Sequence, residues 1–279
     1  MILQNMTPEE KVRQASKIEL DIRYASRSWV EHNQRLLKKR QSYPYTHIIK
    51  REFKDMGVWN IMISFEEKPK FSKGVLFSSN AYQKYYVSKG TKAENIGAGI
   101  YFIGGAPTRN GYQGSGTSFY ELTPHFFNRY RERYLKAIGQ GNMSFNDMFM
   151  SVYRDISVGI SPDKDLFSEN GDDDQFFQAM NVPRVPGYEN LAMFIRHGLC
   201  LGFSTHREDY LCYLTYVGHE EFFKWQSKIH NVSKKLLEMY DQMKEIDPYY
   251  MVDKEKIKQG PKYPSLIKSN NKSVFPIEY

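Results

Sequence analysis

Residues 7–41 constrain the fold more than any other stretch of the chain. Thr7-Pro8-Glu9-Glu10 supplies a cap, a proline suited to the first helical position, and acids at the positive end of a helix dipole. Ala15, Ile18, Ile22, Ala25, Trp29, His32 and Leu36 then recur at alternating spacings of three and four. That spacing puts them on one side of a helix roughly 40–50 Å long at about 1.5 Å per residue. A second seam opens after Gly218: Phe222, Trp225, Ile229, Val232, Leu236, Met239, Met243 and Ile246. Two long terminal helices, 7–41 and 219–246, are therefore expected, packing on each other or each meeting a copy in a second subunit.

Between the two seams the period changes to two. In Val58–Phe65, Trp59, Ile61, Ile63 and Phe65 share one face, and Asn60, Met62 and Ser64 the other. Further strands are expected near 74–79, 82–88, 99–103 and 116–122, with helices over 124–138 and, capped by Ser144, over 144–157. Leu199–Phe203 and Tyr210–Val217 read as a hairpin turning at Thr205-His206-Arg207-Glu208. The expected class is α+β: an antiparallel β-meander packed with helices on one face, flanked by long N- and C-terminal helices. The matching division is an N-terminal helical segment 1–57, a central α+β region 58–217, a long helix 218–247 packing on the first, and an extended basic tail 248–279.

Charge narrows the choice of partner. The 279 residues carry a formal net charge of +7, a mild preference for anionic partners such as RNA. Residues 1–57 hold 12 Lys/Arg against 7 Asp/Glu, and residues 224–279 hold 11 against 7. The stretch 163–174 reverses this with six acids and one lysine. No apolar run approaches the roughly 18–20 residues that cross a bilayer, and no basic region followed by an apolar core marks a secretory signal. No membrane association is expected. Two cysteines, Cys200 and Cys212, make neither a disulfide framework nor a four-ligand zinc site, so a reduced, cytoplasmic setting is expected. Asp172-Asp173-Asp174 lacks the spacing of a calcium loop, and His219-Glu220-Glu221 lacks the second histidine of a zinc-protease helix; no metal and no cofactor are expected.

Chemistry concentrates in Thr123-Pro124-His125-Phe126-Phe127-Asn128-Arg129-Tyr130-Arg131-Glu132-Arg133. Threonine caps and proline starts a helix, after which His125, Arg129 and Arg133 recur at intervals of four on one face. An imidazole near the positive end of a helix, with cations beside it, suits proton transfer at a phosphodiester, whose 2′-hydroxyl in RNA supplies the nucleophile. His125, Arg129 and Arg133 are the candidate catalytic residues. Tyr130 and Thr123, with Arg109, Gly114 and Gly116 from a glycine-rich connection that could act as a flap, are the candidate substrate-binding residues.

A strand running into a helix with this His-x-x-x-Arg-Tyr-x-x-Arg pattern resembles openings in RelE-like toxin ribonucleases and their relatives. Residues 120–135 and 198–217 carry the resemblance. It implies a small sheet-and-helix fold that binds and cuts RNA, with His125, Arg129 and Arg133 as acid/base and phosphate contacts. The piece Gly97-Ala98-Gly99-Ile100-Tyr101-Phe102 looks like a strand of ADP-ribosyltransferases, but no His-Gly element precedes it and Glu278 lies at the very end of the sequence given. Two functions follow: a nucleic-acid-binding protein working as a metal-independent ribonuclease, or a non-enzymatic assembly protein of a virus or mobile element that uses helices 7–41 and 219–246.

Overall fold

The structure is a computed structural model that describes residues 2, 5–73, 75, 77–89, 94–104, 118–156, 186–205, 209–222, 230–231, 234–235 and 238. Its first helix, α1 (Pro8–His32), starts at the expected capping box: Glu10 N–H donates to Thr7 Oγ1 at 3.3 Å, and Thr7 N–H to Glu10 Oε2 at 2.9 Å. The expected single helix over 7–41 is broken at Asn33, beyond which α2 (Gln34–Lys39) follows. There the Asn33 side-chain amide donates to Trp29 O at 2.8 Å, offering the backbone a partner outside the regular ladder. The seam fits through Ala25. Past it, Val30 and Leu37 are buried, while His32 and Leu36 face solvent. A strict three-and-four pattern drifts around a straight helix, and the break adds to the drift.

Eight strands form one sheet in the order β1-β2-β3-β4-β5-β8-β7-β6. Strands β1 (Tyr45–Phe53), β2 (Gly57–Phe65), β3 (Ser78–Lys89), β4 (Glu94–Gly104) and β5 (Ser118–Leu122) are an antiparallel meander. The chain then runs through α3 (Pro124–Tyr130), a π-helical turn (Arg131–Leu135) and α4 (Phe145–Ile156). It returns as β6 (Glu189–Ile195), β7 (Gly198–Ser204) and β8 (Tyr210–Gly218). Because this second meander is laid in reverse order, β8 meets β5, and the two are parallel. The sheet is mixed, which corrects the all-antiparallel expectation. Tyr45–Phe53, expected within the N-terminal helical segment, is a strand paired along its whole length with β2.

Helices cover both faces of the sheet rather than one. On one side Ala15, Ile18 and Ile22 of α1 pack with Trp59, Ile61, Ile63, Tyr101 and Phe119. On the other, Phe126, Phe127 and Tyr130 of α3 join Met148, Phe149 and Val152 of α4 against Ile100, Leu122, Tyr213 and Tyr216. Central strands buried on both faces read as apolar runs, as in Leu199-Cys200-Leu201 of β7. The α1 seam is thus consumed by the sheet. Of the helix expected over 219–246, residues 219–221 form a 3-10 turn and Phe222 is extended, and most of the rest lies outside the described residues, as do the tail from 248 and the acidic stretch 163–174. Residues 230, 231, 234, 235 and 238 are helical, and His230 packs on Phe194 of β6. Cys200 and Cys212 are free and buried in the packing of opposite sheet faces.

Candidate functional site

Helix α3 is fixed by its first residue. Thr123 Oγ1 accepts from Phe126 N–H at 3.2 Å and donates to Leu214 O at 3.0 Å, while Thr123 N–H donates to Tyr213 O at 3.2 Å. The threonine therefore caps α3 and ties it to β8. Phe126, Phe127 and Tyr130 point into the core, and the Tyr130 hydroxyl is 3.1 Å from Ser151 Oγ. That corrects two expectations: Tyr130 and Thr123 are structural, with their polar atoms engaged inside the protein.

The opposite face of α3 is open. His125 is exposed and has no hydrogen-bond partner among the described residues. Partial burial, then Arg129 and Arg133, hold its imidazole below the ordinary value, with Glu132 opposing them. Arg129 Nη1 lies 3.1 Å from Glu132 Oε2 in an exposed pair of the kind that contributes little to stability. Arg133 is committed elsewhere. Its Nη1 donates to Tyr216 O at 2.7 Å and lies 2.9 Å from Glu221 Oε2, binding the end of β8 to the 3-10 turn His219–Glu221. The expected trio is thus unequal: His125 and Arg129 face solvent, and Arg133 is a clamp. The turn that follows α3 is π-helical, with Lys136 N–H donating to Arg131 O at 3.0 Å. Arg109, Gly114 and Gly116 lie outside the described residues.

A second polar cluster was not foreseen. Glu121 of β5 is buried, with Lys11 Nζ of α1 at 2.6 Å from its Oε2. The Tyr85 hydroxyl donates to Oε1 at 2.9 Å, and the Tyr210 hydroxyl donates to Oε2. Burial, then the nearby Glu121 carboxylate, push the Cys212 thiol up, with Lys11 pulling the other way. Lys11 and Glu121 are 110 positions apart, and no local pattern links them. The cluster anchors α1 to the sheet.

Among the described residues no group of three or more His, Cys, Asp or Glu is placed to hold a metal ion, and no helix is long and apolar enough to cross a membrane. Comparison with known proteins gives no counterpart: no family model, curated protein or solved structure matches the chain.

Proposed function

We propose that the protein binds RNA along the open face of α3 and cleaves it without a metal, His125 acting as the general base. The observation that carries this reading is the exposed, unpartnered His125 imidazole, whose proton affinity is lowered by partial burial and the neighbouring arginines, beside the half-exposed guanidinium of Arg129. A neutral imidazole accepts the 2′-hydroxyl proton as that oxygen attacks phosphorus. The 5′-oxygen leaves with a proton from water, giving a 2′,3′-cyclic phosphate, while Arg129 offsets charge on the phosphoryl oxygens. The resemblance of 120–135 and 198–217 to RelE-like toxin ribonucleases supports the reading, as does α3 lying directly against β8. Free, buried Cys200 and Cys212 fit a reducing, cytoplasmic setting.

Incubation of labelled RNA with the protein in EDTA tests this. Cleavage by wild type and its loss in His125→Ala is the expected result. Cleavage that survives the substitution removes His125, and absence of both cleavage and salt-sensitive binding removes the function.

One observation favours an assembly role as a second reading. Leu20 and Tyr24, four apart on the outer face of α1, are 63% and 70% exposed. In this reading that face makes the contacts of a homo-oligomer or a viral or mobile-element assembly. Light scattering with Leu20→Glu/Tyr24→Glu tests it, a wild-type oligomer dissociating in the double variant. A wild type that stays monomeric at high concentration removes self-assembly.

A further inference from the structure

Three histidines from distant stretches of the chain, His197, His219 and His230, lie about one end of the sheet. Gly198 and Gly218 are register partners at the ends of β7 and β8, so His197, in the turn before β7, and His219, in the 3-10 turn after β8, flank that pair. Arg196 and His197 form the two-residue turn between Ile195 and Gly198, which are partners across β6 and β7. His230 Nε2 is 3.3 Å from Ile195 O, and Lys234 lies one helical turn beyond His230. The Tyr134 ring, from the π-helical turn, lies flat on His197 with centroids 4.3 Å apart.

The backbone beneath this cluster is fixed. The Tyr216 hydroxyl donates to His197 O at 2.6 Å. A Cβ at Gly198 would run into that hydroxyl and the Val217 carbonyl, so only glycine fits.

Charge decides what the cluster can hold. Arg133, Arg196 and Lys234 supply three positive charges, and Asp155, Glu220 and Glu221 three negative ones. Arg133 pairs with Glu221 at 2.9 Å, and Arg196 Nε stands 3.9 Å from Asp155 Oδ1. Farther along the helix Lys235 and Glu238 cancel. Among these described residues the charges balance while the imidazoles are neutral. Protonation of His197 adds positive charge there, which an oxyanion would offset. Burial and the surrounding cations hold His197 and His230 below the ordinary imidazole value, so protons enter on favourable terms only together with an anion.

We propose that this end of the sheet is a phosphate-binding site in which His197 takes up a proton as the phosphate enters, with His219, Arg196 and Lys234 as further donors. Imidazolium, guanidinium and ammonium groups all donate to phosphate oxygens. His230 holds the helix that brings Lys234 into place. The site does not depend on His125, so the ribonuclease reading and this one can fail separately.

The test is NMR titration of the histidine side chains of the full chain from pH 5.5 to 8, in chloride and in inorganic phosphate at equal ionic strength. Sulfate, whose charge is constant over this range, is run in parallel. Phosphate and sulfate are expected to raise the titration midpoint of His197, and sulfate to bind roughly three- to tenfold tighter at pH 6 than at pH 7.5, as proton linkage requires. His219→Gln, an exposed substitution, is expected to weaken binding several-fold, and His125→Ala to leave it unchanged. A 5′-phosphorylated pentauridylate that reproduces the shift, where the unphosphorylated form does not, makes a nucleic-acid end the source. A shift with inorganic phosphate alone makes it free phosphate. Midpoints that do not move, or a shift lost in His125→Ala and kept in His219→Gln, overturn the proposal.

Discussion

Lys11 Nζ stands 2.6 Å from Glu121 Oε2, a lysine of the first helix locked to a carboxylate in the middle of the sheet. Both side chains are buried, and Tyr85 and Tyr210 donate to the same carboxylate. Removing one partner of such a pair strands the other charge. Lys11→Met is therefore expected to lower the unfolding free energy by about 3–5 kcal/mol, measured by urea denaturation. Lys11→Met/Glu121→Gln should recover most of that loss, because a neutral amide no longer needs the ammonium. A single-variant loss below about 1 kcal/mol would mean that the pair is solvated, as surface pairs are.

Gly99 makes room for one of those hydroxyls. It is the register partner of Tyr85, and a Cβ at that position would come within 2.3 Å of Tyr85 Cζ. The ring lies flat over β4, stacked on Tyr101 at 4.2 Å, and so reaches Glu121. Gly99→Ala is expected to displace Tyr85 and cost about 1–3 kcal/mol. With Tyr85→Ala the clash disappears, so the double variant should cost less than the sum of the singles, a coupling that a double-mutant cycle reads directly. Additive costs would show that the two positions do not touch.

The elements that were legible in the sequence are those whose signal is local. The Thr7 capping box, the alternation in Val58–Phe65 and the hairpin around 199–217 lie within a few residues, and the structure has them in place. Strand β1 was missed because Tyr45–Phe53 is an edge strand: Lys50, Arg51 and Glu52 face solvent, so its apolar alternation is incomplete. The β5–β8 pairing, which decides that the sheet is mixed, joins residues about ninety positions apart and leaves no periodic trace. The same holds for Lys11 with Glu121. Of the candidate site, His125 and Arg129 could be read from helix spacing, but the use of Arg133 as a clamp depends on where Glu221 arrives. The meeting of His197 and His219 was within reach, since pairing 199–203 with 210–217 brings the outer ends of that hairpin together.

Acid should loosen the protein, and the sign follows from the histidines. His197 and His230 have lowered folded-state values, so the unfolded chain binds more protons near and below about pH 6.5. Stability is then full above the unfolded value and is lost as pH falls through the window below it. Denaturation in chloride buffers at pH 7.5 and 5.5 should show the loss. His230→Gln should shrink the difference, although it lowers stability at pH 7.5 by removing a ring packed on Phe194 and Phe222. An unchanged difference in that variant would place the acid sensitivity elsewhere.

Adjacent residues of α3 should separate binding from folding. Tyr130 is wholly buried with its hydroxyl at Ser151, whereas Arg129 is paired, among the described residues, with an exposed glutamate. Tyr130→Phe is expected to cost about 1 kcal/mol of stability, the net contribution of one hydrogen bond, with RNA affinity unchanged. Arg129→Ala should do the reverse, leaving stability within about 0.5 kcal/mol. It should also weaken RNA binding and flatten the dependence of log affinity on log salt by about 0.7, the release expected from one contact with a single strand. Fluorescence anisotropy with a short oligouridylate between low and moderate salt reads both. Equal salt slopes for wild type and Arg129→Ala would take the guanidinium off the RNA path, and with it the argument that the open face of α3 is where the strand lies.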